Sequence, residues 1–314
     1  MNDASRFQFD VVGVGANSVD YVYRLPQFPQ PDSPAAKLRI AQHLVTCGGQ
    51  TATALCTCAA MGLRTKYIGT IGNDPNGDRM RGELAGRGVD VEHVSVRDAI
   101  NPFAVILLDE RGERVVLWQR VPGLELSPDA LDPSLIRGAR LLHVDDVDEE
   151  AAIEAARLGR QAGIPVTSDI ERVTTRTEEL VTSATVPIFA AHVPEALTGE
   201  RDIERALRKL QKVRLKPDTT SLEHLICVTM GARGAMLLAG DVVYHEPGRQ
   251  VNAADTTGAG DVFRGAFIVA LLRGDAPEDI LRFANAAAAI SCTRIGAIAS
   301  VPTVEETMSL VAIS

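Results

Sequence analysis

The apolar run from Val262 to Leu272 follows directly on the turn Asp255-Thr256-Thr257-Gly258-Ala259-Gly260-Asp261. A helix this apolar cannot lie on a surface, so the rest of the chain must supply layers that bury it. A small-residue turn opening into such a helix leaves several backbone N–H groups unpaired and aimed at one point. The helix dipole adds partial positive charge there, which suits a phosphate or a developing phosphoryl charge. Gly258, Ala259 and Gly260 let a ligand approach the backbone closely. Asp261, at the mouth of this anion hole, repels phosphate and makes little sense for anion binding alone. It makes sense as a base that takes a proton from an attacking hydroxyl while the N–H groups hold the phosphoryl group. The plain alternative is a helix that starts after a glycine turn with Asp as its cap. A second Asp at 255 and the buried helix favour the chemical reading, which is that of a kinase.

Strand-like and helix-like segments alternate along the chain. Phe9 to Val14, Leu141 to Val144, Pro165 to Ser168, Val186 to Ala190 and Leu225 to Thr229 read as buried strands. Glu149 to Ala162 and Ile203 to Lys212 read as helices between them. This rhythm predicts βαβ units and a mainly parallel sheet with helices on both faces. Two regions break it: Tyr21 to Thr46 and Phe103 to Gln119 look like antiparallel strands around turns, the second tipped by Asp109 to Glu113. They suit a small sheet or flap beside the main body. Leu215 to Ser221 reads as a polar surface loop.

Composition excludes several partners. With 32 Lys+Arg against 41 Asp+Glu the net charge is −9, and no basic block stands out, which argues against nucleic acid and anionic membrane surfaces. No apolar run reaches the roughly 18 residues a membrane span needs, and Met1 to Asp10 does not read as a signal peptide; a cytoplasmic protein is expected. Aromatics are only 4%, so aliphatic and alanine-rich packing must build the core. Cys47, Cys56, Cys58, Cys227 and Cys292 lack the spacing of zinc or redox pairs and read as structural thiols.

The turn and helix at 255–272 resemble a signature of the ribokinase-like, or PfkB, family of carbohydrate kinases. Gly48-Gly49, the Ala-rich stretch after it and Gly62-Leu63 are similar to the family's other signature. Ile68 to Gly77 and Gly88 to Val91 continue the likeness, and Asn285 to Pro302 keeps the family's spacing. The resemblance covers nearly the whole chain. It implies one α/β domain over residues 8–314 in three layers, with a β-sheet lid inserted at about 20–46 and 98–120. It also implies ATP as donor, Mg²⁺ and K⁺, a small sugar as acceptor and, through lid pairing, a homodimer. By motif Asp261 is the base, with Gly258, Ala259 and Gly260 as the anion hole. Glu195 organises the water shell of Mg²⁺; Thr229 and Gly231 meet the nucleotide, and Asn285 falls beside the adenine pocket. Asp255, Thr257, Ser291, Arg294, Gly296 and Ser300 match the monovalent-cation site, mostly through carbonyls. Asp20, Gly48 and Gly49 match the sugar site, and Lys37 is a lid candidate for an anionic group.

The chain departs from the family pattern at two motif positions. Thr53 stands where a sugar-contacting Asn is usual, and His192 replaces Asn in the Asn-x-x-Glu motif ending at Glu195. The Thr53 variation, the hairpin at 109–114 and Cys292-Thr-Arg are similar to the sulfofructose kinase branch, with ketohexokinase more distant. Yet Asp146 stands where an arginine for a sulfonate is expected, and Trp118 where that branch has Asn. A carboxylate there favours a neutral ketose or pentose, or a deoxy-keto acid if Lys37 and Arg172 point inward. Three other readings compete. A nucleoside kinase of the same family would find limited stacking on Tyr21, Tyr23, Phe28, Phe103 and Trp118. A catalytically silent sugar binder would fit the changes at Thr53 and His192. A nicotinamide-dependent dehydrogenase is prompted by Gly13-Val-Gly15, but its third glycine would fall on Ser18.

Overall fold

A computed structural model describes residues 7–214, 222 and 225–312. The segment 215–221 and the last two positions of the expected 8–314 domain lie outside the described residues. A nine-stranded sheet runs in the spatial order Val242–Glu246, Ala235–Ala239, Leu225–Thr229, Val186–Ala190, Val166–Ile170, Ala139–Asp145, Phe9–Val14, Thr65–Ile68, Val89–Asp90. From Leu225–Thr229 onward all pairs are parallel; the first two strands turn back antiparallel at one edge. Successive strand residues face opposite sides of a sheet. Val11, Leu141, Ile188 and Cys227 therefore join one core, with the helices Gln50–Ala60, Ala259–Arg273 and Pro277–Ser291. Their neighbours Val12, Leu142, Phe189 and Ile226 join the other, with Glu149–Gln161, Thr177–Ser183 and Ile203–Arg214. Three layers result. The anticipated strands and helices are all present, with ends shifted by one or two residues except at Phe9–Val14, Val186–Ala190 and Leu225–Thr229, where they coincide.

The two irregular regions form one separate four-stranded sheet in the order Gln42–Gly48, Ser18–Arg24, Phe103–Leu108, Arg114–Gln119. The outer pairs are antiparallel, as expected, but a parallel pairing of Ser18–Arg24 with Phe103–Leu108 joins them. Turn residues encode a local hairpin; nothing local encodes the union of two distant ones. At the tip, Asp109 accepts hydrogen bonds from the amides of Arg111 and Glu113. Because Ser18–Arg24 is a strand rather than a helix, the glycines at 13 and 15 do not open a dinucleotide-binding turn. Among the described residues no helix is long and apolar enough to cross a membrane. All five cysteines are free, and burial pushes the Cys47, Cys56 and Cys227 thiols up to about 12, as inert structural thiols require.

Candidate active site

Gly258 is the residue before the helix Ala259–Arg273 and sits at φ 77, a left-handed conformation that side chains resist. A Cβ there would lie 2.5 Å from that of Ala297. The turn is stitched to the loop beyond the Pro277–Ser291 helix: the Ala254 and Asp255 amides donate to the Cys292 carbonyl, and Asp255 accepts from the Thr257 and Gly296 amides, each at 2.9 Å. Asp261 lies in the first helical turn and is partly exposed. Burial and then the Glu171 carboxylate push its pKa well above the usual range, while the Arg264 guanidinium opposes them. A carboxylate made more basic in this way is a better proton acceptor.

Gly48 joins this turn to Asp20. A Cβ on Gly48 would overlap the Asp20 carboxylate and approach the Ala297 methyl at 3.4 Å. Ala297 thus lies against both the glycine beside Asp20 and the glycine before the Ala259–Arg273 helix. Gly49, at φ 101, packs against the Asn17 backbone and starts the helix Gln50–Ala60. Asp20 is 5% exposed and accepts from Ser18 Oγ at 2.8 Å; burial first, then the Asp255 charge, raises its pKa to about 6 against that hydrogen bond. Thr53 lies one turn into the helix, fully buried, with no partner for its hydroxyl. Thr46, level with Asp20 on the next strand, and Gln50 also hold buried polar atoms without partners. Orphaned buried polar groups such as Thr46, beside Asp20, are what a site for a hydroxylated ligand requires.

The other expected residues fall into two groups. Glu195 is exposed beyond the carboxyl end of Val186–Ala190, 3.6 Å from Arg201, on a helix capped by the exposed His192. Thr229 ends its strand, and Gly231, at φ 59, opens the 3₁₀ turn after it. The second group is engaged within the protein. The Asn285 amide donates to the Glu246 and Pro247 carbonyls, shaping that loop. Ser291 and Ser300 hydroxyls donate to the Ala288 and Ala297 carbonyls, and Arg294 pairs with Glu306. Of the expected cation-site residues, only Asp255 and Thr257 thus have side chains tied to the turn itself; Gly296 contributes its backbone. Asp146 accepts from the Glu171 and Arg172 amides and pairs with the Arg172 guanidinium at 3.3 Å, so neither side chain stands free for an anionic acceptor. Lys37 is on the exposed stretch after Pro34–Ala36.

Five side chains near the site carried no sequence signal. Arg114, on the small sheet, donates to Thr256 Oγ1 at 2.8 Å and so brings the hairpin onto the anion-hole turn. Asp145, fully buried, accepts from the Ala16 and Thr51 amides and from Thr51 Oγ1, fixing the first strand's end to the first helix. Arg264 and Asp169 form a wholly buried ion pair beneath Asp261. Glu171 flanks them, and its carboxylate lies within 4.8 Å of those of Asp169 and Asp261.

Residues 4–304 match the pfkB family carbohydrate kinase. The chain is 28% identical to an ATP-dependent ribose-1-phosphate kinase of Halopiger xanaduensis, over 94% of this chain and 95% of that one. It is 26% identical to a fructokinase of Solanum tuberosum, over 96% and 95%. The solved structure of Arabidopsis thaliana ribokinase complexed with ribose and ATP superposes with a TM-score of 0.80 at 25% identity, covering 98% of this chain and 99% of that one. The layered fold and separate small sheet are those of the ribokinase-like structures. The chain belongs to the pfkB family of carbohydrate kinases and is an ATP-dependent sugar kinase.

Proposed function

We propose that the acceptor is a free ketose or pentose whose hydroxyl is phosphorylated between Asp20 and Asp261. The observation that carries this is Ala297, packed against Gly48 on one side and Gly258 on the other. A sugar gripped by Asp20 and the Gly48-Gly49 backbone would then hold one hydroxyl at the anion-hole turn. Asp261 takes the proton of that hydroxyl. Its oxygen forms a bond to the γ-phosphorus as the bond to the bridging β–γ oxygen breaks, and ADP leaves. First-turn amides at Gly258, Ala259 and Gly260 meet the charge on the moving group. Thr229 and Gly231 line the nucleotide side, with Asn285 supporting it through the loop at 246–247.

The small sheet acts as the lid, so that residues 8–314 work as one domain with lid segments near 20–46 and 98–120. Glu195 fits Mg²⁺, being an exposed oxygen donor of the kind that ion takes through water. The two loops joined through Asp255 fit K⁺ through their carbonyls, with Asp255 and Thr257 holding the loop; Ser291, Arg294 and Ser300 would serve by backbone only. The relatives' phosphorylated and free acceptors both fit a cytoplasmic enzyme. The outer lid strand favours a homodimer.

The test is ADP release with Mg-ATP, with and without K⁺, across fructose, ribose, other ketoses, sulfofructose, a 2-keto-3-deoxy acid, ribose 1-phosphate and adenosine. A single neutral sugar should dominate. Asp261→Asn should lose several orders of magnitude in kcat with ATP affinity nearly intact. Full activity in that variant, or a dominant signal on adenosine, would overturn the assignment.

A further inference from the structure

Arg264 is the largest fully buried side chain among the described residues, and it lies on the helix whose first turn carries Asp261. Its Nη2 is 2.6 Å from Asp169 Oδ1 and 3.7 Å from Glu171 Oε1. A Cβ on Gly260 would stand 2.6 Å from Nη1, so the guanidinium lies against the anion-hole turn. Carboxylate oxygens of Asp169, Glu171 and Asp261 all lie within 4.8 Å of one another. Carboxylates at that spacing repel one another, and the guanidinium offsets this at two of them, Asp169 and Glu171. Despite its closeness to Asp169, none of the guanidinium nitrogens makes an aligned hydrogen bond, and neither Asp169 oxygen has one. An arginine kept only to brace the fold would have its planar fork satisfied. Stability is a weak reason for this pair, since buried ion pairs are often no better than apolar packing.

We propose that Arg264 is a positioning residue for phosphoryl transfer: one helical turn after Asp261 and paired with Asp169, it fixes the first turn of the helix that carries Asp261 and sets fixed positive charge beneath Gly260. This rests on Asp261 being the base. The groups around Asp261 and Arg264 are few. Asp169 and Glu171 come from the strand Val166–Ile170 and its end, and His143, Asp145 and Asp146 from Ala139–Asp145 and its end. Cys227 comes from Leu225–Thr229, and Arg114 from the small sheet. His143 is neutral, its pKa pushed down to about 3 by burial and then by the Arg264 charge; Cys227 is a thiol, pushed up to about 12 by burial. Arg264, one helical turn after Asp261, is therefore the buried cation of this group, and Arg114 is the second positive charge, on the small sheet.

Arg264→Met, Arg264→Lys and Glu171→Gln would be compared with the unaltered enzyme in kcat, both KM values and the pH profile of kcat. Loss of the positive charge should lower kcat of Arg264→Met about 100-fold, the scale of a lost proton-transfer contribution. Its KM values should change little, and its acidic limb should move upward by about one unit. Arg264→Lys should keep the limb in place and recover at least about tenfold of the lost kcat, as a retained charge predicts. Glu171→Gln, at a half-exposed position, should move the limb downward. Arg264→Met that melts lower yet keeps kcat and limb, or Arg264→Lys no better than it, would show bracing alone. Should Arg264→Met fail to fold, an unmoved limb in Glu171→Gln overturns the proposal. An active Asp261→Asn overturns the base assignment and this proposal with it; an inactive Asp261→Asn with unchanged limbs in the other variants overturns this proposal alone.

Discussion

Asp20 is held as a carboxylate against its surroundings. Its pKa of about 6 lies above the ordinary 3.8 because the folded protein buries it beside Asp255. Folding therefore favours the protonated form. The corresponding stabilisation is present below the ordinary value and is lost as pH rises through about 6. At mildly alkaline pH the ionised group costs up to about 3 kcal/mol, taking 1.36 kcal/mol per unit. Asp20→Asn should accordingly melt higher than the unaltered protein at pH near 8, with the difference closing in acid, while its acceptor KM rises at least about tenfold for the lost charged hydrogen bonds. Thermal melts without ligand at the two pH values, paired with acceptor kinetics, check both halves; lower stability at both would remove Asp20 from the strained class. Asp261 could be singled out from the chemistry of its own turn, and Asp20 and Gly48 from the resemblance to the family's motifs. Arg264, Asp169 and Thr46 were not, since their meaning lies in contacts between segments far apart in the chain, and Arg264 reads in sequence as a break in an apolar run.

At the level of elements, the turn before Ala259–Arg273 depends on a backbone that only glycine adopts without strain. Gly258→Ala combines a left-handed φ with a collision at Ala297, each penalised by about 1–3 kcal/mol. Relief requires the turn to swing away from Ala297, which separates the amides from Asp20. The variant should keep its fold, with a lower melting point, and lose kcat far more than ATP affinity; calorimetric ATP binding beside steady-state rates separates the two. The hairpin works differently. Arg114 makes a side-chain hydrogen bond to Thr256 from an exposed strand, so it latches the sheet to the turn without supporting the core. Arg114→Ala should leave the melting point within about 0.5 kcal/mol of the original and raise acceptor KM severalfold. An acceptor KM that stays put would mean the latch does not close the cleft. Each hairpin could be anticipated from its turn residues, and the main sheet from its buried runs. The parallel seam between Ser18–Arg24 and Phe103–Leu108 could not, because it is a nonlocal pairing chosen by the packing of Val22, Ala104, Ile106 and Leu108 together.

For the molecule as a whole, the outer strand Arg114–Gln119 presents a problem that one chain does not solve. All six residues are exposed, including Val115, Val116, Leu117 at 57% and Trp118 at 71%, and the strand's far edge has no neighbour in the four-stranded sheet. Natural edge strands are blunted by charge, proline or cover, and here Arg114 alone of the six bears a charge. Alternate residues face opposite sides, so Val116 and Trp118 share the side of Arg114, toward the cleft, while Val115 and Leu117 face away. A second copy pairing lid to lid would bury the outward pair and the open edge together, and would stiffen the wall of the cleft. Under the proposed dimer, Leu117→Glu, which charges the outward side without touching Arg114 or Asp20, should sediment as a monomer and raise acceptor KM while leaving ATP binding unchanged. Trp118 is the only tryptophan in the chain and lies on this edge strand, so its emission reports the covering of the open edge. It should shift to the red on dilution of the unaltered protein and lie at the red limit in Leu117→Glu. A monomer at all concentrations, with emission insensitive to dilution, would mean that the lid stands uncovered and that only the sugar shields its inner face.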